Sequence, residues 1–204
     1  MTGKFLDKAY DLDGSEKTQA HYDAWAATYD AEIAENGYAT PGRCAAALWE
    51  QLPSPDAPIL DFGCGTGLSG LALRLAGYRV IDGTDPSPEM LDGARGKDVY
   101  RKLSLLDLDD PAPVPAHSYR AIAAIGVIGT GAAPANTLDL LMKALGQGDI
   151  LVFSYNDHAL ADPQYVGRLN QWLDCGAARL LSQSYGPHLP GKDLNSNVYV
   201  VEKA

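Results

Sequence analysis

Short apolar runs alternate along the 204-residue chain with stretches whose apolar positions recur every three or four residues. The first period marks buried strands and the second amphipathic helices. Residues 16–35 place Tyr22, Trp25, Tyr29 and Ile33 at helical spacing with acids between them. This predicts a helix entered from Asp13-Gly14 and stopped at Asn36-Gly37. A second helix is expected over 41–51, with Pro41 suited to its first turn. The breaker PSPDAP at 53–58 divides an N-terminal helical cap, 1–53, from the main part, 54–204, of one domain.

Beyond the breaker, strands are expected at 59–62, 79–83, 99–105, 119–125 and 150–155. Helices fall between them at 68–76, 88–95 and 136–145, and another follows at 164–173. Two last strands, 179–184 and 197–201, are joined by GPHLPGKDLNS with no helix between them. Alternating strands and helices imply a parallel sheet with right-handed crossovers, and the closing pair implies an antiparallel hairpin. The expected fold is α/β: a doubly wound, mostly parallel seven-stranded sheet, Rossmann-like, with a C-terminal antiparallel hairpin and an N-terminal helical cap.

Charge narrows the function. A formal net charge of −10 disfavours nucleic-acid backbone and anionic membranes, which attract clustered cations. With 46% hydrophobic residues the chain can bury a core. Cys44, Cys64 and Cys175 form no CxxC pair or Cys/His cluster, so no metal site is expected, and such usage fits a reducing cytoplasm. The N-terminal residues lack the apolar centre of a signal peptide, and no apolar stretch is long enough for a membrane helix. A small-molecule partner is expected, with the protein a monomer or homodimer.

The candidate chemistry lies in ILDFGCGTGLSG, residues 59–70. A buried strand ends at Asp61-Phe62, and Gly63, Gly65 and Gly67 follow at alternate positions. Glycine admits positive φ and close backbone approach, so a ligand can lie against this turn at a helix N-terminus. Asp61 can accept hydrogen bonds from a cation or amine there. Asp85, about 20 residues beyond the turn, suits the two hydroxyls of an unphosphorylated ribose. A plain structural turn and a helix cap by Asp85 are the competing readings. Asp107 follows the third strand, where it can accept from an adenine amino group with Leu106 against the ring; an acidic loop needs no such ligand. GTGLSG at 65–70 also satisfies G-x-G-x-x-G, so a nucleotide-cofactor oxidoreductase is a rival.

These motifs resemble those of class I S-adenosylmethionine (SAM)-dependent methyltransferases over nearly the whole chain. LDFGCGTG is similar to the family's first motif, GTDPSPEML to its ribose-binding segment, and LLDL to its adenine-contacting segment. HYDAWAATYD resembles the cap of small-molecule methyltransferases. The overall pattern, with VYRKL, is similar to small methyltransferase-like proteins of the Williams–Beuren region type. The resemblance implies that SAM, or its product S-adenosylhomocysteine, contacts Tyr22, Tyr29, Cys64, Pro86, Met90 and Ile125 besides the glycines and acids above. Cys64 is then an inert packing residue. Two departures stand out: Arg120 replaces a usual aspartate, and Leu-Gly-Gln-Gly-Asp at 145–149 replaces a Leu-Lys-Pro-Gly-Gly turn. The lack of an Asn-Pro-Pro-Tyr-like motif after strand four argues against amino-methylation of DNA bases.

Methyl transfer from a sulfonium mainly requires alignment, and a base only when the acceptor must lose a proton. Catalytic residues are therefore faint in the sequence. Asn156, Asp157 and His158, after the fifth strand, are the foremost candidates, with His117 and His188 as further loop histidines. Tyr155, Tyr165, Trp172, Tyr185 and His188 are expected around the acceptor, although Trp172 also fits a core stripe with Leu169 and Leu173. A non-catalytic SAM-binding protein is the second rival.

Overall fold

The computed structural model describes Phe5 and residues 15–204; the expected helix entry at Asp13-Gly14 lies outside them. Helix α1 is Ser15–Glu35 and α2 is Thr40–Gln51. Between them Asn36 and Gly37 donate back to the carbonyls of Ile33 and Ala34, and Gly37 takes φ +71°, which ends the helix as the sequence implied. Then come β1 (Ile59–Phe62), α3 (Leu68–Ala76), β2 (Ile81–Asp85), α4 (Pro88–Arg95), β3 (Lys102–Leu105) and β4 (Ala121–Ala124). Helix α5 (Thr137–Ala144), β5 (Ile150–Asn156), α6 (Asp157–Ala161), α7 (Pro163–Asp174), β6 (Ala178–Leu189) and β7 (Leu194–Lys203) complete the chain.

The seven strands form one sheet in the order β3-β2-β1-β4-β5-β7-β6. The first five pair in parallel, and β7 runs antiparallel between β5 and β6. The expected α/β class, strand number and closing hairpin are all present. Neighbouring strand residues feed opposite cores, as the two-residue strand period requires. Ile59, Ala121, Val152 and Val200 pack with Cys44 and Leu48 of α2 and Leu73 of α3. Leu60, Ile122, Leu151 and Val201 pack with Leu138 and Leu141 of α5 and Leu169 of α7. A third cluster joins Trp25 and Ile33 of α1 to Leu189.

Several expected bounds shift. Strand β2 begins at Ile81 rather than 79, because the Arg79 amide is taken by Pro55 O in a turn, and it ends on Asp85. Strand β3 is shorter than 99–105. The segment GPHLPGKDLNS is not a loop: β6 and β7 run through it to a single 3-10 turn at Pro190–Lys192. Gly186 and Pro187 look like breakers, yet β6 is an edge strand, where a missing N–H costs no ladder bond. The short helix α6 had no distinct sequence signal.

The two family departures meet. The Arg120 guanidinium pairs with the Asp149 carboxylate, which also accepts the Gly146 amide at 3.0 Å. The replaced aspartate and the altered turn thus compensate each other in charge. Among the described residues, no helix is long and apolar enough to cross a membrane.

Candidate functional site

The order of strands reverses between β1 and β4, and ligands of such sheets bind beyond the carboxyl ends of the strands at that point. There Gly63, Gly65 and Gly67 all hold positive φ, at +69°, +52° and +93°. Thr84 O accepts the Gly63 and Cys64 amides at 2.8 and 3.0 Å. Asp85 Oδ2 accepts the Gly65 amide at 2.8 Å, while Oδ1 accepts the Ser87 amide at 3.0 Å. Burial pushes the Asp85 carboxyl up to about 6, against the opposing pull of these two amides. The cap of α4 is Ser87, which accepts the Met90 amide at 3.1 Å, so Asp85 is not the helix cap.

Asp61 is fully buried behind the turn. Its Oδ2 accepts the Ser69 and Tyr100 hydroxyls, each at 2.6 Å, while Oδ1 has no partner. Burial raises this carboxyl to about 6, with the two hydroxyls pulling the other way. Asp61 is thus engaged by its neighbours and does not line the cavity in front of the turn, where the sequence places it. Gly67 is likewise off the cavity wall: a Cβ there would press on Tyr100, Ala94 and Lys97. Tyr100, in VYRKL, is a residue of this site that the sequence alone does not mark. Its ring needs Gly70, where a Cβ would sit 2.3 Å from the phenol.

Helix α1 lies over the turn and is tied to it. Thr66 Oγ1 donates to Asp30 Oδ1 at 2.5 Å, and Lys97 Nζ donates to Asp30 Oδ2 and Thr66 O, both at 2.6 Å. Gln19 Nε2 donates to Pro86 O at 2.9 Å. Under the helix is a cavity of about 660 Å³. Of the expected cofactor contacts, Tyr22, Tyr29, Gly63, Cys64, Gly65, Asp85, Pro86, Met90, Leu106, Asp107 and Ile125 all line it. Burial, with Asp61 and Asp85 nearby, pushes the Cys64 thiol far up, which makes it a poor nucleophile. Asp107 is exposed at the rim, its carboxylate accepting the Asp109 amide at 2.9 Å.

A second, compact cavity of about 50 Å³ shares Tyr22, Tyr29, Tyr38, Gly126 and Ala132 with the first. Trp25, Asn156 and His188 are also in its wall. Of the foremost catalytic candidates only Asn156 reaches it. Asp157 is spent on structure, accepting the Tyr185 hydroxyl and the Asn195 amide at 2.8 Å each, and His158 is exposed and lines neither cavity. His117 is exposed beside Gly146 and lines neither cavity. Tyr155 and Tyr165 are core residues, Trp172 donates to Asp139, and Tyr185 is 60% exposed on β6, so none of the four lines either cavity.

His188 is on strand β6, not in a loop, and is buried. Its Nδ1 lies 2.8 Å from Thr40 Oγ1, which lies 3.1 Å from Ser196 Oγ. Arg43 donates to Ser196 Oγ at 3.0 Å. Burial lowers the imidazole to about 4, with Asp157 opposing and Arg43 and His158 reinforcing the shift.

A family model described as a methyltransferase domain matches residues 37–189. Human methyltransferase-like protein 27 is 38% identical over 120 residues, covering 57% of this chain and 49% of that protein. The chain spans about half the length, or less, of the curated relatives it matches. A chain of the complex between the Haloferax volcanii Trm112 methyltransferase activator and the putative methyltransferase superposes with a TM-score of 0.69. Its identity is 17%, and the match covers 91% of this chain and 97% of that one. A SAM-dependent methyltransferase from Geobacter sulfurreducens, in complex with S-adenosylhomocysteine, superposes with a TM-score of 0.57 at 14% identity, covering 79% and 91%. These structural likenesses concern the fold. With its sheet order, its glycine turn and a family model matched over well more than half its length, the chain belongs to the class I SAM-dependent methyltransferases.

Proposed function

We propose that this domain binds SAM in the 660 Å³ cavity and transfers its methyl group to a small molecule whose reacting end enters the compact cavity. The observation that carries the reading is the convergence, on one cavity, of the positive-φ glycine turn, the buried Asp85 carboxylate and the aromatic face of α1. In this reading Asp85 takes the ribose hydroxyls, Leu106 and Asp107 the adenine, and the glycine turn the amino-acid end. Tyr22 and Tyr29 cover the cofactor, while Asp61 holds Ser69 and Tyr100 in place behind it. When bound, SAM supplies an activated methyl group on a sulfonium. The chain's residues then have to align the acceptor and exclude water.

The net charge of −10 favours a small acceptor over nucleic acid or a membrane surface. Unpaired Cys44, Cys64 and Cys175 suit a reducing, cytoplasmic setting. We take the protein to act as a monomer or homodimer.

Calorimetry with SAM, S-adenosylhomocysteine and NAD tests the cofactor, with micromolar binding expected for the first two. Affinity for NAD alone overturns the reading. Incubation with methyl-labelled SAM and a metabolite extract tests transfer, and binding without any labelled small-molecule product favours a non-catalytic SAM-binding protein instead.

A further inference from the structure

The hydroxyls behind His188 can be directed one by one. Arg43 can only donate to Ser196 Oγ, so the Ser196 proton must go elsewhere, and its neighbouring hydroxyl is Thr40 Oγ1 at 3.1 Å. Ser196 and Thr40 are both fully buried, where an unmatched hydroxyl proton is costly. Thr40 in turn gives its proton to His188 Nδ1 at 2.8 Å. The chain Arg43 → Ser196 → Thr40 → His188 runs in one direction and leaves the neutral imidazole protonated on Nε2. His188 is thus a hydrogen-bond donor and not the proton acceptor its residue type suggests. Its low basicity keeps it uncharged near neutrality, with Asp157, Arg43 and His158 the charged or titratable groups around it.

One other group in the same wall is a donor. Asn156 Oδ1 is taken by the Ala159 amide at 3.0 Å, which leaves its NH₂ to donate. Among the described residues that line this cavity there is no Lys or Arg.

We propose that the compact cavity is a carbonyl-oxygen subsite, in which His188 and Asn156 hold an sp² oxygen of the methyl acceptor: a ketone, amide or carboxylate next to the nucleophile. This rests on the methyltransferase reading and names its acceptor class. A space of about 50 Å³ admits one such group and leaves the rest of the acceptor in the neck shared with the larger cavity.

The test is a titration of the ¹⁵N-labelled full chain with acetate, acetamide and ethylammonium, following the His188 Nε2–H and Asn156 side-chain NH₂ signals, beside SAM calorimetry on the same sample. Both signals should move together with acetate or acetamide and stay in place with ethylammonium, which has no acceptor atom. Acetate alone marks a carboxylate acceptor, and both oxygen probes mark the wider carbonyl class. His188→Phe should weaken the responding probe roughly 10-fold, and His188→Gln, which restores a donor at the Nε2 position, should recover most of that loss. Signals that neither oxygen probe moves, in a protein that binds SAM, overturn the subsite and leave the cofactor reading standing. Signals that move in a protein that does not bind SAM overturn the methyltransferase reading and, with it, the acceptor assignment.

Discussion

Asp85 Oδ2 accepts the Gly65 amide at 2.8 Å, so the carboxylate at the end of β2 also clamps the glycine turn beside it. Its second oxygen is engaged by Ser87, which fixes the plane of the group. A carboxylate held in this way is preorganised for a diol, because it need not reorient when the ligand arrives.

Asp85→Asn should lower SAM affinity by roughly 10- to 100-fold, the usual worth of hydrogen bonds to a charged acceptor. Asp107→Asn should change it by less than about threefold, because an exposed carboxylate competes with water for its ligand. Calorimetry on both variants decides. Equal losses would mean that the rim carboxylate carries as much of the adenosyl group as the buried one.

The turn glycines separate two costs. Alanine at Gly63 would place its Cβ 2.6 Å from Val127 Cγ2 in a left-handed backbone, whereas Gly65 has open space around its Cβ position. Gly63→Ala should cost about 2–4 kcal/mol, from backbone strain plus overpacking, and Gly65→Ala about 1–2 kcal/mol from strain alone. Adding Val127→Ala to Gly63→Ala should recover part of the loss. Gly65→Ala, projecting into the cavity, should impair SAM binding instead. Urea denaturation and calorimetry distinguish the two patterns.

Asp30 joins α1 to the turn through Thr66 and Lys97, yet it is about half exposed. Asp30→Ala should therefore change global stability by no more than about 1 kcal/mol. S-adenosylhomocysteine should leave roughly 3- to 10-fold faster, because a released cover exposes the ligand more often. Stopped-flow release and hydrogen exchange over residues 15–35 report on this. Unchanged release with faster exchange would show that α1 is not the cover of the site.

Asp61 and Asp85 are both held above their ordinary range, near 6. In the window from about pH 4 to 6 the folded protein keeps protons that the unfolded chain has released. These two groups therefore make stability fall as pH rises through that window. For Asp61 the shift corresponds to an upper figure of about 3 kcal/mol. Asp61→Asn should flatten the decline between pH 4.5 and 7 in urea denaturation. A variant that declines as steeply as the parent protein would place the Asp61 carboxyl back in its usual range.

The sequence by itself determined the layout of this protein. Apolar period, glycines and prolines act within a few residues, and they set β1, α3 and α4, the turn at 63–67 and the carboxylate of Asp85. Motif resemblance added Tyr22, Tyr29 and Met90, whose place depends on the shared fold. What the tertiary structure decided is which distant residues meet. Asp30 reaches Lys97, Asp61 is completed by Tyr100, Arg120 finds Asp149, and Thr40 orients His188 from 148 positions away. Such pairs leave no mark at either position, because a hydroxyl or a carboxylate looks the same in sequence whether its partner is water or a buried side chain. The extension of β6 through Gly186 and Pro187 is of the same kind: only its place at the sheet edge makes a proline harmless there, and that place is a property of the folded sheet.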